Sequence, residues 1–481
     1  MNEKVSLPVT DLPEWESVPM ELERLYREAV EQFQRKIVVI DDDPTGIQTV
    51  HGVSVYTNWD EESIRSGFAE KEKLFYLMTN SRGMTSDQAE RINRQIAQRV
   101  CKISREMGKD FVLISRGDST MRGHWPLETE VLRKEVEQRA DKRFDGEIIM
   151  PFFLEGGRYT IHNIHYVRDK NLLIPAGETE FARDKTFGYV HSHIGRWCEE
   201  KTEGRYRAED CIYVALEDIR NQDIDRITHQ LTEAKAFQKI IVNAVSYEDV
   251  EVFCVACIRA MEAGKEFLFR TAAAWPKILG GITSRPLLTH EELAGESPNG
   301  GIVLVGSHVN KTTMQLKHLR DSGLPISFME FDATLVSVPN GLQLEAQRVA
   351  LWAKENISQG RSVAIYTTRK RIDFDDLDKE RQLEMSVAIS NALTSVIGLL
   401  TVKPSFILAK GGITSSDVGT RALRVVKATV MGQIVPGVPV WRTGEESKFP
   451  NMPYVIFPGN VGDETTLTCA VKKLMRQSKE N

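Results

Sequence analysis

Short apolar runs alternate with longer amphipathic segments along most of the chain. The run KIVVI, at residues 36–40, is rich in β-branched residues and stops at an acidic cluster, which predicts a buried strand. Similar runs are VSVYT, LFYLMTN, DFVLIS, CIYVAL and KIIVNA, and segments with helical periodicity lie between them, for example TSDQAERINRQIAQRVCKISREMG. This alternation predicts an α/β fold with a largely parallel sheet that is covered on both faces.

Residues 280–301, GGITSRPLLTHEELAGESPNGG, interrupt the alternation and are rich in Gly, Ser, Pro and Glu, which is typical of a linker. Strand, loop and helix alternate again beyond this segment. A chain of 481 residues also exceeds a single ordinary core. We therefore predict two α/β domains, at residues 1–279 and 302–481, with a linker region at 280–301. Within the first domain, residues 163–205 form the least regular segment, which we interpret as an insertion that lies over the site.

The composition is that of a globular protein, with 41% hydrophobic and 27% charged residues. A net charge of −6 argues against a broad nucleic-acid surface. The first residues lack the apolar core of a signal peptide, and no run reaches the ~18 apolar residues of a membrane span. We expect a cytoplasmic protein with neither nucleic acid nor a membrane as its partner. Cys254 and Cys257 form a CxxC on an apolar helical pattern, which favours helix packing over a metal or redox site.

Polar clusters follow the apolar strands of the first domain. They are the three aspartates at 41–43, TNSRG at 79–83, RGDSTMRG at 116–123, and PFFLEGGRYT at 151–160, which contributes Arg158. Ligands of parallel sheets gather beyond the carboxyl ends of the strands, so we expect these clusters to converge.

The chemistry of these clusters suits a small acidic sugar. Buried carboxylates need partners, and the guanidinium groups of Arg116 and Arg122 are suited to bidentate binding of carboxylates or phosphates. Asp118 and the neighbouring hydroxyl groups suit a polyhydroxy ligand. The alternatives are an Arg–Asp pair that ties two loops together and an Asx turn at Asp43, which would explain one carboxylate of the three.

Three glycine-bearing loops follow strands in the second domain, in VLVGSHVNKTTMQ, AKGGITSSDVGTRAL and FPGNVGDET. Glycine lets a ligand approach the backbone, and the start of a helix offers free N–H groups to an anion. A tight turn with a Ser or Thr N-cap is the alternative for any single loop. Three such loops together favour a nucleotide site, although neither GxxxxGK[ST] nor GxGxxG is present.

The ordered set of motifs resembles the four-carbon acid sugar kinases over most of the chain. Gly306, Ser307, Thr312 and Gln315 fit the family's Gly-Ser motif, and GGITSS and PGNVG fit its last two motifs. In the first domain, the family pattern Asp-Asp-x-Thr-Gly corresponds to Asp42, Asp43, Thr45 and Gly46, and the pattern Ser-Arg to Ser81 and Arg82. The pattern Lys-x-Asp-Ser-Thr-Leu-Arg-Gly corresponds to RGDSTMRG. The pattern Gly-Arg-x-Thr corresponds to Gly157, Arg158 and Thr160.

The resemblance implies an ATP-dependent kinase that phosphorylates a tetronate-like acid such as threonate, erythronate or a keto derivative. The N-terminal domain would bind the acid and the C-terminal domain ATP with Mg2+, with a ligand cleft between them. An aspartate would orient the attacking hydroxyl group. The catalytic candidates are Asp42, Asp43 and Asp118; the substrate-binding candidates are Thr45, Arg82, Arg116, Ser119, Arg122 and Arg158; the cofactor-binding candidates are Gly306, Ser307, Thr312, Gly411, Gly412, Thr414, Gly459, Asn460 and Gly462.

Two alternatives to a kinase stay open at this point. Phe457 stands where the family has Lys before Pro-Gly-Asn, so the chain could bind a sugar acid and a nucleotide with little or no catalysis; Lys410 is the candidate to replace the missing charge. A nicotinamide-dependent oxidoreductase is disfavoured because no GxGxxG loop follows a strand. A homodimer is as open as a monomer.

Overall fold

The computed structural model describes residues 3–15, 17, 20–295, 297–307, 309–369, 379–459 and 461–475. Contacts divide the chain into two compact units, Met1–Ser284 and Arg285–Asn481. In each unit strands alternate with helices around a sheet whose strand pairs are mostly parallel, which confirms the predicted α/β class. Within the described ranges, no helix is long and apolar enough to cross a membrane.

The first unit contains a parallel sheet and a four-stranded antiparallel sheet. Its strands are β1 (Leu7–Pro8), β2 (Lys36–Asp41), β3 (Ser54–Tyr56), β4 (Leu74–Met78), β5 (Phe111–Arg116), β6 (Gly146–Met150), β7 (Arg158–Ile161), β8 (Ile164–Asp169), β9 (Leu172–Pro175), β10 (Ile212–Val214), β11 (Gln238–Val242) and β12 (Phe267–Thr271). The order in the parallel sheet is β10-β11-β6-β12-β5-β2-β4-β3, and that in the antiparallel sheet is β1-β9-β8-β7.

Helices pack on the parallel sheet of the first unit. They are α1 (Met20–Gln32), α2 (Glu61–Ala69), α3 (Ser86–Met107), α4 (Leu127–Arg139), α5 (Ile194–Lys201), α6 (Leu216–Arg220), α7 (Ile224–Thr232), α8 (Tyr247–Glu262) and α9 (Ala274–Leu279). All positions of β2 are buried, as expected for a parallel strand covered on both faces. Apolar residues of α2, α3 and α4 form one core cluster with β2, β4 and β5.

Local sequence signals explain where α3 begins and ends. Thr85 and Gln88 form a capping box at its start, and Gly108 ends it in the left-handed conformation at φ 62°. Cys254 and Cys257 are both buried in α8, and burial raises the pKa of both thiols. Their environment is that of helix-packing residues.

The segment 163–205 is more regular than we predicted. It contains β8, β9, two 3-10 helices at Ala176–Glu178 and Glu180–Arg183, and α5. Strands β7, β8 and β9 pair antiparallel. A search for apolar runs does not detect them because the strands are short and β8 ends in the exposed polar residues Arg168 and Asp169.

The second unit is a mixed sheet with helices. Its strands are β13 (Ile302–Val305), β14 (Ile326–Phe331), β15 (Ser362–Thr367), β16 (Ile407–Lys410), β17 (Lys427–Val435), β18 (Val438–Thr443) and β19 (Pro453–Phe457). Its helices are α10 (His290–Leu293), α11 (Asn310–Asp321), α12 (Gly341–Ser358), α13 (Lys379–Leu399), α14 (Gly412–Asp417) and α15 (Thr466–Leu474). The strand order is β17-β18-β19-β16-β13-β15-β14.

The strands from β19 to β14 in this order pair parallel, whereas β17 and β18 form an antiparallel hairpin that pairs with β19. The loops after β13, β15, β16 and β19 therefore leave the sheet at one edge. Apolar residues of β13, β16 and β19 pack with α11 and α15 in a core cluster that holds this edge in place.

Candidate functional site

The carboxyl ends of β2, β4 and β5 lie side by side in the first unit. Asp41, the last residue of β2, stands in register with Met78 of β4 and with Arg116 of β5. The polar clusters that follow these strands therefore begin at the same sheet edge, as their positions in the sequence predicted.

Asp41 and Asp42 lie inside the protein beneath this edge. Their exposed fractions are 1% and 3%. Arg116 Nη1 lies 3.1 Å from Asp41 Oδ1 and 3.5 Å from Asp42 Oδ1, so one buried guanidinium serves both carboxylates. Burial raises the pKa of Asp41 to about 7, and Arg116 opposes this rise.

Gly46 is required by the position of the Asp41 carboxylate. A Cβ at residue 46 would lie 2.1 Å from Asp41 Oδ2, well inside van der Waals contact. The glycine of the DDxTG pattern thus lets the turn close over a buried carboxylate, which is a packing reason for its presence.

Arg82 connects the aspartate cluster with the loop after β5. It donates to Asp42 at 2.6 Å and to Asp43 at 3.1 Å, and its Nη1 lies 3.8 Å from Asp118. Burial alone would lower the pKa of Arg82, but Asp42, Asp118 and Asp43 raise it well above its ordinary value. The three sequence clusters therefore meet around one guanidinium.

Asp43 is the most accessible of the three consecutive aspartates, with a side chain 21% exposed. It accepts hydrogen bonds from the backbone N–H of Thr45 at 2.8 Å and from its hydroxyl group at 2.5 Å. Burial would raise the pKa of Asp43, but Arg82, Arg116 and these hydrogen bonds lower it. The predicted Asx turn is present, and the carboxylate in it is ionised at neutral pH.

Asp118 is held in the same way within RGDSTMRG. Arg122 Nε donates to its Oδ2 at 2.7 Å, and the Thr120 hydroxyl group donates to the same oxygen. Burial opposes ionisation, but Arg82 and Arg122 lower the pKa of Asp118 well below its usual range. Its side chain keeps 11% of its surface exposed, so a second ionised carboxylate borders the site.

The backbone of Ser119 is held by a hydrogen bond with a buried histidine, His165. The Ser119 carbonyl lies 2.7 Å from Nε2 of His165, and the Thr160 hydroxyl group lies 3.0 Å from Nδ1 of the same ring. Burial lowers the pKa of His165 to about 4, so the ring is neutral. We assign the proton to Nε2, which donates to the carbonyl, and Nδ1 accepts from Thr160.

Arg270 and Glu128 belong to the site but were missed in the sequence. Arg270 Nη1, near the end of β12, donates to Glu128 Oε2 at 2.9 Å, and the Ser81 hydroxyl group donates to Glu128 Oε1 at 2.6 Å. A Cβ at Gly117 would lie 2.2 Å from Arg270 Cζ, which explains that glycine. The available signal was a charged residue inside the otherwise apolar run FLFRT.

Arg122 and Arg158 flank an aromatic ring from the segment 163–205. The Cζ atoms of the two arginines lie 5.0 Å and 5.6 Å from the centroid of Phe181. Asp184 lies 3.6 Å from Arg122 Nη1. The segment that we interpreted as an insertion therefore contacts the predicted substrate-binding residues.

The glycine loops of the second unit also leave neighbouring strands. Val305, Lys410 and Phe457, the last residues of β13, β16 and β19, are in register with one another. Gly306 N–H donates to the Lys410 carbonyl at 3.2 Å, and Gly411 N–H donates to the Phe457 carbonyl at 2.9 Å. The three loops are thus tied together by their backbones.

Side chains of α11 fix the same loops. The hydroxyl group of Thr312 lies 3.3 Å from Ser307 Oγ and 3.4 Å from the Gly459 carbonyl, and Gln315 donates to the carbonyls of Val461 and Asp463. Two of the predicted binding residues, Ser307 and Gly459, therefore meet at one hydroxyl group. Asn460 lies outside the described residues.

The glycines of these loops have different surroundings. A Cβ at Gly306 would lie 2.2 Å from the hydroxyl oxygen of Thr414, and Gly411 and Gly462 have φ values of 123° and 80°. A Cβ at Gly412, by contrast, would meet nothing within 4 Å. Gly306, Gly411 and Gly462 are needed by the loops themselves, whereas Gly412 faces open space at the start of α14.

Lys410 is fully buried below the last glycine loop. Its Nζ donates to the Pro458 carbonyl at 2.8 Å and lies 4.0 Å from the centroid of the Phe457 ring. Burial lowers the pKa of Lys410 to about 7. The Lys410 ammonium group thus lies beside Phe457 and Pro458, at the start of the last glycine loop, and reaches them from the neighbouring strand.

Arg369 was missed in the sequence, although it follows β15 at the same sheet edge. Its Nη1 donates to the Ser307 carbonyl at 2.7 Å and its Nη2 to the hydroxyl group of Thr313. In the described part of the chain, no cluster of three or more His, Cys, Asp or Glu side chains could hold a metal ion.

Two family models match the chain, one in each unit. The family model of a sugar-binding N-terminal domain matches residues 37–279, and that of a nucleotide-binding C-terminal domain matches residues 302–467. A search of the curated proteins finds no match.

Two solved structures share the fold. The Haemophilus influenzae protein HI1011, of family DUF1537, is 18% identical with a TM-score of 0.60; the match covers 91% of this chain and 100% of that one. A putative tRNA synthase from Salmonella typhimurium LT2 is 16% identical with a TM-score of 0.63, over 90% of this chain and 98% of that one. At this identity the likeness is one of fold.

Proposed function

The chain belongs to the family that joins a sugar-binding N-terminal domain to a nucleotide-binding C-terminal domain, the architecture of the four-carbon acid sugar kinases, and we propose that it is an ATP-dependent kinase of a small sugar acid. The proposed substrate is tetronate-like, such as threonate, erythronate or a keto derivative, and the proposed product carries the phosphoryl group on one of its hydroxyl oxygens.

One observation carries this proposal: the ionised carboxylates of Asp43 and Asp118 meet guanidinium groups at the strand ends of the sugar-binding unit, around Arg82. Phosphoryl transfer asks for a positioned hydroxyl group and for charge stabilisation rather than for covalent chemistry by the protein. A carboxylate that accepts a hydrogen bond from the attacking hydroxyl group supplies the first requirement.

Asp43 is the proposed hydroxyl-orienting residue. It is more exposed than Asp41 and Asp42, and its lowered pKa keeps it ionised. Asp118 is the second candidate, because it is also ionised and partly exposed. Asp42, which both Arg82 and Arg116 contact, would support the site from below rather than contact the substrate.

The nucleotide is proposed to bind at the loops after β13, β16 and β19. The open backbone at Gly412 and the hydroxyl groups of Ser307 and Thr414 suit phosphate oxygens, and Arg369 adds positive charge. Mg2+ would neutralise the phosphates and would be bound together with ATP. The site carboxylates Asp41, Asp43 and Asp118 are already paired with arginines and are therefore poor ligands for a separate metal ion.

The test is to incubate the protein with ATP, Mg2+ and a panel of tetronates and related acids, and to measure ADP and the phosphorylated acid. We expect turnover of at least one four-carbon acid and none of neutral polyols of equal length. Calorimetry with each acid and with ATP is run in parallel. Saturable binding of both ligands without ADP would favour the non-catalytic alternative over the kinase.

A further inference from the structure

The arginines of the sugar-binding unit differ in how many of their donors are already used. Arg82 donates hydrogen bonds from Nε, Nη1 and Nη2 to Asp42 and Asp43. Arg116 and Arg270 are 4% and 7% exposed and contact carboxylates below the sheet edge. These three arginines hold the site together and have little left for a ligand.

Arg122 is also committed in part. Its Nε donates to Asp118 at 2.7 Å, and its Nη1 lies 3.6 Å from Asp184. Its positive charge is therefore compensated from two sides by groups of the chain.

Arg158 is the exception among these arginines. Within the described ranges it has no carboxylate at ion-pair distance, unlike the other four. Its Nε is buried without a hydrogen-bond partner, as is Nε of Arg116, whose Nη1 nevertheless contacts Asp41. Its Nη1 donates to the Gly156 carbonyl. Burial lowers the pKa of Arg158, Asp118 attracts its charge and Arg122 repels it. A guanidinium in this setting lacks the anion that would compensate it.

Backbone hydrogen bonds hold the turn that precedes Arg158. Arg158 pairs with Phe153 through two backbone hydrogen bonds, of 2.9 Å and 3.1 Å, across the turn that contains Gly156 and Gly157. Gly157 adopts φ 69°, and a Cβ at Gly156 would lie 2.4 Å from the Phe153 ring. The two glycines of PFFLEGGRYT therefore shape the turn that presents Arg158.

Phe181 contributes the other support. Its ring lies against the guanidinium groups of both Arg158 and Arg122. Stacking uses the face of a guanidinium and leaves the N–H groups of its edge free to bind a carboxylate.

The segment that carries Phe181 also contacts the loop 116–123 and the residue that follows it, His124. Tyr189 donates to the Thr120 carbonyl at 2.7 Å, and the ring of Phe187 lies 4.9 Å from that of His124. The position of Phe181 is thus fixed by the fold of the unit.

We propose that Arg158 binds the carboxylate group of the sugar acid, with Arg122 beside it, and that Phe181 is a positioning residue that orients both guanidinium groups. This inference rests on the proposed function and assigns the acid group of the substrate to one residue. Binding of a carboxylate by the edge of this guanidinium would compensate the charge of Arg158 and relieve the repulsion between the two arginines.

The first test compares Arg158→Gln and Arg158→Lys with the wild type, using erythronate and threonate as probes. Loss of a charge-assisted hydrogen bond is expected to raise KM for the acid roughly 10- to 100-fold in Arg158→Gln, with KM for ATP unchanged. Arg158→Lys should lose less, because the charge remains. Arg168→Gln, an exposed arginine of the adjacent β8, is the matched control and should behave as wild type.

A second measurement separates this inference from the kinase proposal. Calorimetry of each acid without nucleotide should show binding to the wild type and loss of that binding in Arg158→Gln. Binding that depends on Arg158 but yields no ADP would overturn the kinase and keep the inference. Turnover with an unchanged KM in Arg158→Gln would overturn the inference and keep the kinase. A wild type that neither binds nor phosphorylates any acid would overturn both.

Phe181 is tested by Phe181→Leu and Phe181→Tyr. Loss of the ring should raise KM for the acid about 3- to 10-fold while kcat changes little, and the tyrosine variant should stay near wild type. A lower melting temperature in Phe181→Leu with an unchanged KM would show that Phe181 serves packing alone and would overturn its positioning role.

Discussion

Arg82 donates to both carboxylate oxygens of Asp42, at 2.6 Å from Nη2 and at 3.2 Å from Nε. The pair joins the end of β2 to the turn after β4, and Asp42 is 3% exposed. A buried carboxylate in this position depends on its guanidinium partner, since burial of an unpaired charge is strongly unfavourable. The pair therefore fixes the distance between two loops of the site.

Arg82→Gln is expected to lower the free energy of unfolding by about 1–3 kcal/mol, because it removes the charge-assisted hydrogen bonds to the buried Asp42 and leaves Arg116 as its remaining guanidinium partner. The double variant Arg82→Gln, Asp42→Asn should recover most of this loss. Urea unfolding measures both. Arg65→Gln, which removes an ion pair with Glu106 at the surface, is the matched control and should cost less than about 1 kcal/mol. Equal losses in the single and double variants would contradict the dependence on charge.

Asp43→Asn is expected to reduce kcat by about 10²- to 10⁴-fold, because the amide cannot accept the proton of the attacking hydroxyl group. Binding of ATP, measured by calorimetry, should stay unchanged. Asp169→Asn, at an exposed position of β8, is the control. Full activity in Asp43→Asn would move the hydroxyl-orienting role to Asp118.

Two glycine variants separate folding from nucleotide binding in the second unit. Gly306→Ala should destabilise the protein by about 1–3 kcal/mol, because its methyl group would overlap the Thr414 side chain. Gly412→Ala should leave the melting temperature unchanged, since its methyl group would face open space, but should weaken ATP binding severalfold. Wild-type affinity for ATP in Gly412→Ala would remove the start of α14 from the proposed nucleotide site.

Lys410→Met is expected to change how stability depends on pH. Burial lowers the pKa of Lys410 from 10.5 to about 7. Between these values the unfolded chain binds the proton more tightly than the folded one, so the wild type loses stability as the pH falls from 10 to 7.

The methionine variant lacks this cost. It should exceed the wild type by about 2–4 kcal/mol near pH 7, and the difference should shrink toward pH 10. Thermal unfolding across this range measures it, and a difference that does not vary with pH would assign the effect to packing. The same variant should bind ATP less tightly if Lys410 replaces the family's lysine.

Much of the first unit's sheet could be predicted because its strands are buried along their whole length. A run such as KIVVI carries that burial in its composition. The hairpin of β17 and β18 was missed for the opposite reason. Residues of β17 alternate between buried and more exposed positions, and its register against β18 shifts between Val430 and Gly432 and again between Gln433 and Val435, so that no continuous apolar run marks β17. The antiparallel strands β7, β8 and β9 escaped prediction because they are short and polar residues such as Arg168 and Asp169 interrupt their apolar runs.

Some residues of the candidate site could likewise be predicted from a local sequence signal, and others could not. Asp43, Arg82 and Asp118 could be found because each follows an apolar strand directly, and neighbouring parallel strands end at one edge. Arg270 and Glu128 could not, because their pairing spans 142 positions and nothing local marks either residue as the partner of the other.

The sequence by itself determined the α/β class, the strands whose apolar runs end in polar clusters, and the chemical types of the groups at those ends, because period and composition are local properties of the chain. Only the tertiary structure decided which charges are paired. Arg82, Arg116, Arg122 and Arg158 look equivalent in the sequence, yet Arg158 alone among these four has no carboxylate partner in the described residues. Pairing depends on distances between distant segments, and those distances exist only once the strands have been placed side by side.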